Sequence, residues 1–249
     1  MLVFGQPTLR KPTVDSTQNW ARELAQNGAA PGTVCVAKSQ TQGRGRPGKT
    51  WFAAEGSVML TAVGAPVDAD CAWQLAIVAG LAVAEAFSKI ADVPAQVRFP
   101  NDVLLAGRKA AGILIETVPA PNTLVTPLIG IGANVKAANF PPEIAAIATT
   151  LEQAAGQNMD VAVAQRAILR QLSLCWDEWL FAGFDVTLAR WKARLDPTAR
   201  RVFILDGKET LCRVRNLHAD GTVVLETANG ATHEREVRSV VPLDAPAAP

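Results

Sequence analysis

Histidine is nearly missing from this chain. His218 and His233 are the only two in 249 residues, and both lie in polar surroundings in the last third. That argues against a Ser/His/Asp or Cys/His catalytic set, so any reaction here runs without a histidine base. Cysteine is scarce too: Cys35, Cys71, Cys175 and Cys212 lie far apart and form no CxxC pair. The pattern argues against a zinc cluster or a disulfide framework and for free thiols in a reducing compartment. Excess charge of either sign is absent, since 24 Lys and Arg face 23 Asp and Glu for a net charge of +1. A chain this close to neutral has no general pull on nucleic acid or on anionic membrane. The opening MLVFGQPTLRKP has no basic-then-apolar targeting pattern, and the most apolar run, residues 71–87, is interrupted by Gln74 and Glu85 and is short for a membrane span. A soluble cytoplasmic protein with no membrane or nucleic-acid partner is the expectation.

What the chain does have is core. Hydrophobic residues make up 49% and charged residues 19%, enough for one large domain and one small one. Ser16 or Thr17 caps a helical pattern through Trp20 and Leu24 that stops at Gly28. Strands are predicted at 33–38, 57–63, 96–99 and 124–135, with a hairpin pairing 103–106 and 110–116 about Gly107-Arg108. An Ala-rich helix over 72–90, apolar nearly all round, belongs against a sheet. Helices follow at 151–155, 161–181 and 186–195, and the tryptophans of the second (Trp176, Trp179) fall at core spacing. From Arg200 the pattern becomes short strands at 202–205, 211–217, 222–226 and 234–241. They are separated by Asp206-Gly207, Asp220-Gly221 and Asn229-Gly230 turns, which describes a small β-barrel. The expected organisation is an α/β domain over 1–197 with a mixed sheet and flanking helices, a barrel over 198–243, and a frayed tail over 244–249.

The stretch Gly43-Arg-Gly-Arg-Pro-Gly-Lys-Thr-Trp51 stands apart. Its glycines let backbone N–H groups approach a ligand, and Arg44, Arg46 and Lys49 supply cations suited to carboxylate or phosphate. Alone it points to an anion or a nucleic acid, or simply to a soluble surface turn. Three further places pair with it: Arg98-Phe-Pro-Asn101-Asp102 at a strand end, Lys109 in a polar turn before Ala110-Ala-Gly112, and Gly130-Ile-Gly132-Ala-Asn134, where the glycines leave space on a strand. Each has an ordinary structural explanation as turn, hairpin charge or packing. Together, several cations, one carboxylate, two amides and a tryptophan suit a nucleotide and a reacting phosphate.

Taken in order, the basic loop, Arg98–Asp102, Lys109-Ala-Ala-Gly-Ile-Leu-Ile-Glu116 and Gly130-Ile-Gly-Ala-Asn-Val135 resemble the motif series GRGRxGRxW, KWPND, KxxGILxE and GxGxNV of the biotin–protein ligases. Ser16-Thr17-Gln18 resembles the S-T-N at the start of that family's first catalytic-domain helix. The resemblance covers residues 12–136 well and extends loosely into the barrel, which is similar to the family's SH3-like C-terminal domain. It implies ATP-dependent activation of biotin as biotinyl-5′-AMP, followed by transfer to a lysine of a biotin carboxyl carrier domain. Ser16, Thr17, Gln40 and Arg44 would surround biotin, with Gly43 and Gly112 giving backbone contacts. Arg46 would close over carboxylate and phosphate. Trp51, Asn101 and Asn134 would serve the adenylate. Lys109 would stabilise charge at the α-phosphate and touch biotin, and Asp102 would position Mg²⁺ or the incoming lysine amine. The family makes a homodimer plausible.

Several positions depart from the pattern. Lys49 stands for Arg, Arg98-Phe99 for Lys-Trp and Gln18 for Asn, while His233-Glu-Arg-Glu-Val237 replaces a small Ser-Gly-Glu-Val-like stretch. No helix-turn-helix precedes residue 12, so DNA-binding repression is not expected. The rival within the superfold is a lipoate ligase or octanoyl transferase, which carries an R-R-x-S-G-G-G-type run where this chain has Gly-Arg-Gly-Arg-Pro-Gly. A non-catalytic module that sequesters biotin or its adenylate is the rival from another class. Lys109, Arg46 and Asp102 argue against it.

Overall fold

The computed structural model describes residues 1–46, 49–52, 55–136, 139–240 and 242–243. Seven strands form the main sheet: β1 (Thr8–Val14), β2 (Val34–Gln40), β3 (Ser57–Val63), β4 (Ala95–Arg98), β5 (Asp102–Leu105), β6 (Arg108–Pro119) and β7 (Val125–Asn134). They lie in the order β1-β2-β3-β7-β6-β5-β4, and only β1–β2 is parallel, so the sheet is mixed. β3 is buried along its whole length, as its unbroken apolar run Val58-Met-Leu requires of a central strand.

Each face of the sheet is covered. Helix α1 (Thr17–Gln26) starts at the Ser16 cap, and Asn27 closes it before Gly28 turns to φ +81°. Its Trp20 and Ala21 pack with Cys35, Val63, Val118 and Leu128 on one face. On the other lies α2 (Gln74–Ala91), the one helix among the described residues long and apolar enough to cross a membrane; most of it is buried in the core. Short helices α3 (Pro142–Ala145) and α4 (Leu151–Ala155) lead to α5 (Val161–Phe181) and α6 (Phe184–Lys192), which pack against α2. Thr150 and Gln153 make a reciprocal capping box on α4. Trp176 sits edge-on to both Phe4 and Trp179, and the Trp179 indole N–H donates to Gln74 Oε1 at 2.7 Å, so these tryptophans are core.

The second sheet is antiparallel, built from β8 (Arg200–Leu205), β9 (Lys208–Leu217), β10 (Thr222–Thr227), β11 (Thr232–Glu236) and β12 (Pro242–Leu243) in the order β11-β10-β9-β8-β12, an SH3-like arrangement. Its buried Phe203, Leu205, Leu217, Val223 and Leu225 belong to the same apolar cluster as α2 and α5. The chain entering it is stitched to β4, with Val97 N–H donating to Arg194 O at 2.8 Å and Asp196 N–H to Val97 O at 2.9 Å.

Three expectations need correction. Strand β1 was not anticipated, because Arg10, Lys11 and Pro12 break the apolar alternation; they are tolerable on an exposed edge. The β5–β6 hairpin turns at Ala106-Gly107, both at positive φ (+48° and +72°), and not at Gly107-Arg108. Lys109 therefore lies in β6, beside a bulge opposite Val103 and Leu104. The single strand expected over 234–241 ends at Glu236 and gives way to a 3₁₀ turn at Val237–Ser239. The expected frayed tail, 244–249, lies outside the described residues.

Phe87 is fully buried on α2. Phe87→Ala is expected to destabilise the chain by about 3–5 kcal/mol. Urea unfolding measures this, and a loss under about 1 kcal/mol would contradict the placement of α2 at the centre of the core.

Candidate active site

A cleft of about 530 Å³ opens over the middle of the main sheet, bounded by the start of α1, the basic loop, α3 and the first strand of the second sheet. Its inner end is polar and rigid. The Gln40 side chain, at the end of β2, accepts from Thr17 N–H at 2.7 Å and Thr17 Oγ1 at 3.1 Å, and Thr61 Oγ1 lies 2.9 Å from Thr17 Oγ1. Ser16 and Thr17 are almost wholly buried. Arg44 from the basic loop reaches across to Asn19 Oδ1 (2.8 Å) and Glu116 Oε1 (2.5 Å), tying the loop to α1 and β6.

The other end is cationic and centred on Asp102. This carboxylate is nearly inaccessible to solvent, yet Lys109 Nζ lies 2.6 Å from Oδ1, and Arg98 Nη2 and Arg201 Nη1 lie 2.8 and 3.2 Å from Oδ2. Burial pushes its pKa up, but Lys109, Arg201 and Arg98 outweigh burial and hold it well below the usual carboxylate range. Arg201 belongs to β8, in the second sheet, and also donates to Phe99 O at 3.1 Å. Burial draws its pKa down to about 10 against the opposing pull of Asp102, which leaves it charged at neutral pH. Arg46, whose pKa burial also lowers, donates to Pro242 O at 3.3 Å, so the loop and the second sheet meet over the cleft.

Between these ends the sheet face is thinned by glycine. A Cβ on Gly132 would come within 2.4 Å of the Trp51 indole, and one on Gly112 within 3.0 Å. Trp51 thus packs directly on β6 and β7 at these glycines, with Lys109 Nζ 5.5 Å from its ring centre. Asn101 Nδ2 donates to Ile113 O (2.7 Å) and Asn134 Nδ2 to Thr149 O (3.2 Å). Five buried polar atoms lack a hydrogen-bond partner among the described residues and all belong to side chains lining the cleft: Gln18 Oε1, Trp51 Nε1, Asn101 Oδ1, Asn134 Oδ1 and Asp102 Oδ1, the last of which is ion-paired with Lys109. Buried polar atoms are almost always satisfied, so a cluster of orphans in one cleft marks where a ligand's polar groups belong.

Of the twelve site residues anticipated from sequence, the cleft lining includes all but Gly43. Gly43 acts within the loop: it accepts from Trp51 N–H at 2.9 Å, and a Cβ there would fall 2.5 Å from Trp51 O. Pro47 and Gly48, within the basic loop, lie outside the described residues.

The description "Biotin/lipoate A/B protein ligase family" fits residues 11–134 of this chain by its family model. The Bacillus subtilis bifunctional ligase/repressor BirA is 32% identical over 238 residues, spanning 92% of this chain and 72% of that protein. The chain belongs to the biotin/lipoate protein ligase family. A Mycobacterium tuberculosis biotin–[acetyl-CoA-carboxylase] ligase is 30% identical over 205 residues, 78% of this chain and 73% of that one. Among solved structures, the Aquifex aeolicus biotin protein ligase in complex with biotin and ATP superimposes with a TM-score of 0.77 at 26% identity, covering 96% of this chain and 99% of that one.

One site assignment that the family resemblance implies does not survive the geometry. Asp102 does not fit as a Mg²⁺ ligand, because both of its oxygens already face cations and a divalent ion would have to displace them. No group of three or more His, Cys, Asp or Glu side chains gathers elsewhere among the described residues. Sequence reasoning also missed Arg201 and Glu116 as members of the site. Arg201 is separated from Asp102 by 99 positions, and only the docking of the second sheet brings them together.

Asp102→Asn should cost about 3–5 kcal/mol, because three cations lose a buried partner. The sign with pH follows from the lowered pKa. Asp102's contribution is fully present above its unfolded value, 3.8, and is lost as pH falls below that toward the folded value. Stability of the parent chain should therefore fall faster below pH 4 than that of Asp102→Asn. Parallel slopes in acid denaturation would contradict the clasp.

Proposed function

We infer that this chain is an ATP-dependent biotin–protein ligase. The observation that carries the reading is the polarity of the cleft. One end offers buried hydroxyls and amides to a neutral polar ring, and the other, within the same cavity, is lined by the cationic side chains of Arg46, Arg98, Lys109 and Arg201. Biotin has that distribution, with a cyclic urea at one end and a carboxylate at the other. The complexes of the Aquifex relative with biotin and with ATP support the assignment.

In the first step the biotin carboxylate attacks the α-phosphorus of ATP. An O–P bond forms, the bond to the β-phosphate bridge breaks, and pyrophosphate leaves with the electron pair. Two anions meet here, so the barrier is lowered by fixed positive charge placed before the reaction starts. Lys109 is held by Asp102 at 2.6 Å, which positions its ammonium rather than leaving it to sample rotamers. In the second step a lysine amine of a biotin carboxyl carrier domain attacks the acyl carbon of biotinyl-5′-AMP. The amide forms, AMP departs and the amine loses a proton. Asp102 is a poor candidate to accept that proton, because its cations keep it a weak base. Trp51, with its buried orphan N–H, and the orphan acceptors of Asn101 and Asn134 would serve the adenosine moiety. The basic loop, closed down by Arg44 and Arg46, shields the mixed anhydride from water.

Incubation of the chain with biotin, ATP, magnesium and a purified carrier domain should add one biotin to that domain's lysine, read by intact mass. No mass shift on any carrier domain, with the enzyme folded, would contradict the reading. Lys109→Ala should slow the labelling by two or more orders of magnitude while biotin affinity by calorimetry changes only a few-fold. Equal loss of both would remove the role given to that lysine.

A further inference from the structure

Helix α3 and the turn after it form one wall of the cleft, through Glu143, Ile144, Ile147 and Ala148. This wall is fixed on Lys109 itself: the Lys109 N–H donates to Ile147 O at 2.8 Å, and Thr149 N–H donates to Lys109 O at 2.9 Å. At its other end Phe140 meets Phe52, just beyond the basic loop, with ring centres 6.4 Å apart. The wall is apolar apart from Glu143, which is exposed to solvent. Seven Arg and Lys side chains line the cleft, and Asp102 and Glu143 are the two carboxylates that line it with them among the described residues. Asp102 is buried, with a cation at each oxygen. Glu143 takes part in no ion pair and no side-chain hydrogen bond among the described residues.

We propose that Glu143 receives the ammonium group of the acceptor lysine at the cleft wall, making it a recognition residue for the second step. The inference rests on the ligase reading given above. A lysine side chain is protonated at neutral pH, with an ordinary pKa of about 10.4. It must enter a cavity lined mainly by cations, which repel it, and shed a proton before its nitrogen can form the C–N bond. Asp102 cannot receive it without giving up one of its own partners. Glu143 has no such partner to lose, and it lies on the segment stitched to Lys109. Paired there, the ammonium is held beside solvent, and water takes its proton. The amine then attacks the acyl carbon, the C–O bond of the anhydride breaks, and AMP leaves with the electron pair. A nucleophile that arrives uncharged needs no such landing point, which separates recognition of the charge from chemistry at the anhydride.

Single-turnover transfer from the full chain, loaded with biotinyl-5′-AMP, would use two acceptors: a purified biotin carboxyl carrier domain, and hydroxylamine, which is uncharged at neutral pH. Glu143→Gln keeps the size of the side chain and removes its charge. It should slow transfer to the carrier domain by about 10-fold or more, while hydroxylamine turnover and ATP–pyrophosphate exchange stay at the parent rates. Glu143→Asp should recover part of the loss, and Glu143→Lys should deepen it. Carrier transfer at the parent rate in Glu143→Gln would overturn the proposal. So would equal slowing with both acceptors, the mark of a disturbed cleft rather than a lost contact with the ammonium. Exchange at the parent rate shows that a variant is folded, and Glu143→Lys gives the same comparison should Glu143→Gln fail to fold. If the parent chain forms no adenylate, the ligase reading falls and this inference with it. Adenylate formation with transfer indifferent to Glu143 removes the inference alone.

Discussion

A carboxylate taken out of water costs several kcal/mol unless cations and hydrogen bonds replace its hydration. Asp102 is buried on those terms: Lys109 comes from the neighbouring strand, Arg98 from the strand before it, and Arg201 from the second sheet. The dependence runs both ways. The cations can crowd into one cleft without blowing it open because the carboxylate sits among them. The two sheets are registered on each other partly because Arg201 must reach Asp102 and the Phe99 carbonyl. Function then uses the cations so gathered, since guanidinium and ammonium groups from β4, β6 and β8 meet at one end of the cavity. A reaction that joins a carboxylate to a triphosphate needs that arrangement in place beforehand.

Glycine placement is the second constraint. β6 and β7 cross the cleft floor paired Gly112 to Gly132 and Leu114 to Gly130, and the missing side chains leave the recess in which Trp51 and Gln18 sit. Read on the strand alone, Gly130 and Gly132 signal only that something lies against the sheet. The structure shows that part of that something is the protein's own Trp51, carried in on the basic loop.

Much of the catalytic half was legible because local signals and motif order agreed. Ser16 caps α1, and the run at 57–63 is too apolar for anything but a central strand. The ends of α4 and α5 coincide with the Thr150 and Asp160 caps. The edge strand β1 was not legible, because its Arg10-Lys11-Pro12 centre is what an edge permits and what a strand pattern excludes. Arg201 was not legible for a different reason: its contribution exists only after two sheets dock, and nothing local distinguishes it from Arg200. The Mg²⁺ role implied for Asp102 failed on the same ground, since its saturation with cations depends on a residue 99 positions away.

The account stands on the claim that this cleft activates biotin by adenylation, and ATP–pyrophosphate exchange tests that step without any acceptor protein. Run side by side with biotin and with lipoate, the full chain should exchange labelled pyrophosphate into ATP with biotin alone. Exchange driven by lipoate and not by biotin, or by neither, would contradict it.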